Sequence, residues 1–166
     1  MGNRLEGKVA VVTGGGRGIG RGVALLLAEE KASVVVNDLG CEVDGSSSSQ
    51  EPADSVVGEI KIRGGKASAN YDNVFLMSGG EAVIQTAVDS FGKIDILVNC
   101  AGIVSDQMIY QMTEEEWDRV ITTNLKGTFV PSRYACILFR QQRSGRIVNL
   151  TSDAGLGAVG SSNAAA

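Results

Sequence analysis

Lys8-Val-Ala-Val-Val-Thr13 runs straight into Gly14-Gly-Gly-Arg-Gly-Ile-Gly20, and this into the apolar stripe Val23-Ala-Leu-Leu-Leu-Ala-Glu-Glu30. The order predicts a strand, a glycine-rich turn and a helix. A turn of that kind leaves backbone N–H groups and the positive end of a helix dipole free to hold a pyrophosphate. Glycine is required because the turn needs φ > 0 and because a Cβ would block the phosphates. The spacing is Thr-Gly-x-x-x-Gly-x-Gly on Thr13, Gly14, Gly18 and Gly20, which Gly16, Gly20 and Gly22 repeat by accident. A glycine cluster alone also reads as a plain turn. The strand before it and the helix after it favour a dinucleotide site, with Thr13, Gly14, Gly16, Arg17, Gly18, Ile19 and Gly20 as candidate contacts.

Composition narrows the partners. The 166 residues, 43% of them hydrophobic, suit one globular domain with a sizeable core. No apolar run approaches a membrane span and Met1–Gly7 lacks a signal-peptide core, so the expected location is cytoplasmic. A net charge of −4 offers no basic field for nucleic acid or anionic lipid, which leaves small molecules and protein surfaces. Cys41, Cys100 and Cys136 are too scattered for a disulfide frame or zinc site and read as reduced, mostly buried thiols. Histidine is absent, which excludes Ser-His and Cys-His nucleophilic pairs.

The rest of the chain alternates strands and helices. Lys8–Thr13, Ser33–Asn37, Lys66–Asn70, Ile94–Val98 and Arg146–Leu150 are predicted strands. Helices are predicted over Gly18–Glu30, from Pro52 to the Gly64-Gly65 pair, from a Ser78/Glu81 capping box to Phe91, and from a Thr113/Glu116 box to about Arg140. The serines at 46 to 49 read as a solvated loop. Such alternation implies an α/β fold: a Rossmann-like, doubly wound parallel sheet with helices on both faces. Asp38, 18 residues after Gly20, stands where a carboxylate accepts from the adenosine ribose hydroxyls and repels a 2′-phosphate. This favours NAD over NADP, although Arg17 argues the other way and a turn beside Gly40 is the plainer reading of Asp38. Leu39 flanks it. Asp72, with Asn73 and Val74, is placed to meet the adenine edge or to form a solvated turn. Trp117, Val120, Ile121, Leu125 and Phe129 read as core or subunit contact.

Four ordered motifs resemble the short-chain dehydrogenases/reductases: the glycine turn, Asn99-Cys-Ala-Gly102, Thr122-Thr-Asn-Leu-Lys-Gly127, and Ile147-Val-Asn-Leu-Thr-Ser152. The likeness covers Leu5 to Asn163. Asn37-Asp-Leu-Gly40, the serine loop and Gly64-Gly-Lys-Ala67 with Asn70-Tyr-Asp72 look most similar to the 3-hydroxyacyl-CoA dehydrogenase domain of peroxisomal multifunctional enzymes and its bacterial relatives. The resemblance implies hydride transfer between NAD(H) and a secondary alcohol or ketone, including acyl-CoA substrates, in a homo-oligomer. It implies Asn99, Ala101 and Gly102 beside the cofactor, Ser152 as donor to the substrate oxygen and Asn124 as a proton-relay residue. Cys100 replaces the usual second Asn of Asn-Asn-Ala-Gly.

The chain also departs from that family. A general-base Tyr belongs 12 or 13 residues after Ser152, where Ala164 and Ala165 stand, and its Lys partner would fall past Ala166. The resemblance therefore implies a cofactor-binding domain over residues 1–166 that is incomplete at its C-terminal side, lacking the last strands and the lid and leaving strand five as an edge. The alternative is a non-catalytic NAD-binding module or pseudoenzyme subunit.

Overall fold

The computed structural model describes residues 2–41, 49–105 and 107–152. Five strands, β1 (Val9–Thr13), β2 (Ser33–Asn37), β3 (Lys66–Asn70), β4 (Ile96–Asn99) and β5 (Arg146–Asn149), form one all-parallel sheet in the order β3-β2-β1-β4-β5. Helices α1 (Gly18–Glu29), α2 (Glu51–Ile62), α3 (Met77–Phe91), α4 (Glu114–Val120) and α5 (Gly127–Gln142) make the connections. The Rossmann-like arrangement expected from the alternation is present.

The three central strands β1, β2 and β4 form because short apolar runs bury both faces of a parallel sheet, and β3 and β5 pair onto them at either side. Val12, Val34, Val36 and Val98 face α1 and α2, packing on Ala24, Val56 and Ile60. Val9, Val11, Val35 and Leu97 face α3 and α5, packing on Val83, Ala87 and Ala135. The reversal of strand order between β1 and β4 lets the flanking connections diverge there. At the carboxyl ends of these two strands, such a sheet opens a crevice.

Several local expectations are corrected. The Ser78/Glu81 capping box is not formed: α3 begins at Met77, its cap residue Leu76 makes no side-chain cap bond, and Ser78 already lies inside the helix. The turn before it is fixed by Asn73, whose side chain accepts from Phe75 N at 3.1 Å and whose carbonyl accepts from Leu76 N at 3.2 Å. The Thr113/Glu116 box is made in both directions. Strand four starts at Ile96, two residues after the predicted start, where the carboxylate of the preceding Asp95 accepts from the N–H of Val9 at 2.9 Å and caps the ladder. The helix predicted from Thr113 to Arg140 is interrupted by a π-helical turn over Ile121–Lys126 and continues to Gln142. Of the five apolar residues expected there as core or subunit contact, only Val120 is fully buried, whereas Trp117, Leu125 and Phe129 are exposed and are not core. Cys136 is exposed on the outer face of α5, and Cys41 and Cys100 are half-buried, so the thiols are not mostly buried. Strand β5 is an edge among the described residues, with Val148 49% exposed. The serines at 46 to 48, Ala164 and Ala165 lie outside the described residues.

Candidate functional site

A cleft of about 1320 Å³ opens over the carboxyl ends of the strands. That is larger than the ~300–1,000 Å³ of an ordinary small-molecule pocket. Its floor is the glycine turn, where Gly14, Gly18 and Gly20 line it with Arg17 and Ile19. Gly14 has φ +61, and a Cβ there would stand 2.8 Å from Cα and N of Ala101. The β1 turn thus lies directly against the turn after β4. Gly18 has φ +50 with nothing within 4 Å of a Cβ, so the space above the first turn of α1 is open. The first backbone amides of a helix have no partner within it, so open space beside the start of α1 suits a phosphate anion.

Thr13 and Gly16 do not line the cleft; they hold its parts together. Buried Thr13 accepts at Oγ1 from the N–H groups of Cys100 and Ala101, both at 3.2 Å, clamping the two turns. Gly16 N donates to Asp38 Oδ2 at 2.8 Å, and Gly40 N to Oδ1 at 2.7 Å. The glycine turn and the Asp38 carboxylate form one hydrogen-bonded unit, and the turn reading of Asp38 holds alongside its place in the cleft wall. Arg17 reaches across to the carbonyl of Cys41 at 3.1 Å. Leu39 lines the same wall, and Asp72, Asn73 and Val74 line the next.

On the β4 side Ala101 and Gly102 face the cleft. Cys100 does too, and burial pushes its thiol pKa up. Asn99 is buried behind them; its Nδ2 donates to Ser132 Oγ at 3.0 Å and to Asn149 Oδ1 at 2.8 Å, tying β4 to α5 and β5. Asn124 sits in the π-turn outside the cleft lining. Its carboxamide clamps the backbone of Ile103, Oδ1 accepting from N at 2.9 Å and Nδ2 donating to O at 3.1 Å. A π-turn inside a helix commonly marks a functional position. Ser152 is half-buried just beyond β5, two residues after Leu150, which lines the cleft.

The sequence reading missed a polar row. Thr13 pairs in register with Asn37 and Asn99, Asn37 with Asn70, and Asn99 with Asn149, so the last residue of every strand joins one line across the sheet. The signal was present, since four of the five strand runs end in Asn. The reading also missed the α4 wall, where Thr113, Asp118, Arg119 and Thr122 line the cleft. No group of residues able to hold a metal ion occurs among the described residues.

Comparison with known proteins agrees with this geometry. The family described as short chain dehydrogenase matches residues 8–165. A peroxisomal hydratase-dehydrogenase-epimerase of Neurospora crassa is 46% identical over 92% of this chain, which covers 17% of that protein. A 3-oxoacyl-acyl-carrier-protein reductase of Staphylococcus aureus is 46% identical over 92% of this chain and 58% of its own length. A crystal structure of a short chain dehydrogenase from Mycobacterium avium superposes with a TM-score of 0.83 at 47% identity, over 92% of this chain and 56% of that one. The chain therefore spans between about a sixth and three fifths of these relatives. A sheet ordered 3-2-1-4-5, a glycine turn clamped to the Asn-Cys-Ala-Gly turn and a profile match along nearly the whole sequence lead to one assignment: the chain belongs to the short chain dehydrogenase family.

Proposed function

We propose that the cleft binds NAD(H), and that the protein to which this sequence belongs transfers hydride between NAD(H) and a secondary alcohol or ketone. The family uses nicotinamide cofactors. The observation that carries NAD over NADP is the carboxylate of Asp38, joined to the phosphate turn through Gly16 N at 2.8 Å. A 2′-phosphate placed there meets a fixed negative charge, whereas ribose hydroxyls meet an acceptor.

In this reading Gly14, Gly18, Ile19 and Gly20 hold the pyrophosphate. Asp38 and Leu39 hold the adenosine ribose, and Asp72, Asn73 and Val74 flank adenine. Ala101 and Gly102, backed by Asn99, border the nicotinamide side. The bound nicotinamide supplies or accepts the hydride; the protein supplies position and proton transfer. Ser152 donates its hydroxyl hydrogen bond to the substrate oxygen. Asn124 serves the proton relay through the backbone of the π-turn, because both ends of its side chain are committed to Ile103. Names of relatives that combine dehydrogenase with hydratase, or reduce 3-oxoacyl groups, support a 3-hydroxyacyl thioester as the substrate class. Exposed Trp117, Leu125 and Phe129 support self-association.

Fluorescence titration with NADH and NADPH tests the cofactor assignment. NADH is expected to bind at least ~tenfold more tightly, a difference of about 1.4 kcal/mol. Asp38→Ala is expected to erase the difference. Equal affinities in the unaltered chain refute it.

A further inference from the structure

Asn70, at the end of β3, is the hub of a closed carboxamide network beside the cleft. Its Oδ1 accepts from Asn37 Nδ2 at 2.8 Å and from the backbone N of Asp72 at 3.0 Å. Its Nδ2 donates to Asp72 Oδ2 at 2.7 Å and to Thr86 Oγ1 on α3 at 3.0 Å. Two acceptances and two donations use the bonding capacity of the amide. Asn37 adds a second grip on Asp72, donating to its carbonyl at 2.9 Å. Both asparagines are buried, Asn37 at 1% and Asn70 at 6% exposure, so this network is shielded from competing water.

Asp72 itself is exposed and lines the cleft. An exposed carboxylate ordinarily samples several rotamers, and freezing it on binding costs affinity. Here one oxygen is already bonded from behind by a buried donor, and the backbone on both sides of the residue is pinned. Oδ1 is left without a hydrogen bond among the described residues, so it remains an acceptor for a ligand.

We propose that Asn70 is a positioning residue for base recognition: it presets Asp72 so that Oδ1 accepts from an exocyclic amine on the base, selecting adenine over a base carrying an oxo group there. This rests on the dinucleotide reading of the cleft. A base with a 6-amino donor meets a fixed acceptor, and one with a 6-oxo acceptor meets like polarity. The rest of the dinucleotide is indifferent to the change. Discrimination between the two is therefore the property that Asn70 sets, distinct from affinity as such.

Calorimetric titration of the full chain with NAD and with nicotinamide hypoxanthine dinucleotide tests this. The unaltered chain is expected to favour NAD about tenfold, the scale of one hydrogen bond to a charged group. Asp72→Ala and Asn70→Ala are each expected to bring the ratio within about threefold. Thr86→Val, which keeps volume while removing one acceptor from the Asn70 amide, is expected to fall between and serves if Asn70→Ala does not fold. Failure of the unaltered chain to bind NAD at all overturns the dinucleotide reading, and this inference with it. Normal NAD binding without discrimination overturns only the inference. So does an Asn70→Ala or Thr86→Val chain that weakens both ligands equally and keeps the ratio.

Discussion

Replacing Gly14 and Gly18 by alanine, one at a time, separates what the glycine turn does for folding from what it leaves open. Both residues have positive φ, +61 and +50, so alanine at either costs about 1–2 kcal/mol in backbone strain. At Gly18 that is the whole cost, because the new methyl meets nothing within 4 Å. At Gly14 the methyl stands 2.8 Å from Cα and N of Ala101 and 2.9 Å from C of Cys100. These are backbone atoms and cannot rotate aside, so the turn after β4 must withdraw. Withdrawal loosens the two bonds that Thr13 Oγ1 accepts at 3.2 Å, each worth about 0.5–1.5 kcal/mol net. Gly14→Ala is expected to cost about 2–5 kcal/mol in all. With a urea slope near 2 kcal/mol/M, the unfolding midpoint followed by circular dichroism falls by ~1–2.5 M for Gly14→Ala and ~0.5–1 M for Gly18→Ala. Gly18→Ala nevertheless places a methyl in the open space assigned above to the pyrophosphate, so its loss of NADH affinity is expected to exceed what its stability suggests. Equal midpoints for the two variants, or a lower one for Gly18→Ala, would refute the clamp.

The Asp95 carboxyl is pushed up by partial burial, but the Val9 N–H and the ammonium groups of Lys93 and Lys8 outweigh this and hold it below its ordinary 3.8. A depressed folded-state pKa stabilises above the unfolded value and stops doing so as pH falls through the folded one. Thermal melts are accordingly expected to drop more steeply below about pH 4 for the unaltered chain than for Asp95→Asn, and parallel profiles would remove Asp95 from the account. With a thiol reagent, exposed Cys136 is expected to react first. Half-buried Cys100, its thiol pKa raised by burial, reacts later and later still when NADH occupies the cleft. A fast phase that survives Cys136→Ser would contradict this order.

The sheet was legible because β1, β2 and β4 are short apolar runs bounded by turn residues, buried on both faces, and β3 and β5 fall where the alternation of strand and helix requires a strand. The glycine turn, Asp38 and Asp72 were legible for a related reason: position relative to a strand end determines what a residue faces in a parallel sheet. Capping was less legible. Ser78-x-x-Glu81 and Thr113-x-x-Glu116 share a pattern, but the extended backbone of Leu76 lets α3 start one residue before Ser78, so only the second box forms. The asparagine line escaped notice because its paired members are 24 (Thr13 and Asn37) to 86 (Thr13 and Asn99) residues apart and meet only through strand register. The π-turn left no mark in the apolar period, since its residues are half-buried or exposed apart from their helical neighbours.

That π-turn governs how the chain tolerates changes in length. It holds one residue more than ordinary winding needs between α4 and α5, and takes up that surplus within its own turn. Each residue of an α-helix advances the winding by about 100°. Deleting one position within Ile121–Lys126 relaxes the turn to ordinary winding and rotates Asn124 relative to Ile103. The stripe of Val130 and Ala135 keeps its place against α3 and β4, because the extra residue is taken up within the turn itself. A single missing codon here is therefore expected to spare the packing of α5 while displacing the Asn124 clamp on Ile103. Local length in this stretch sets where Asn124 stands and leaves the rest of the helix indifferent.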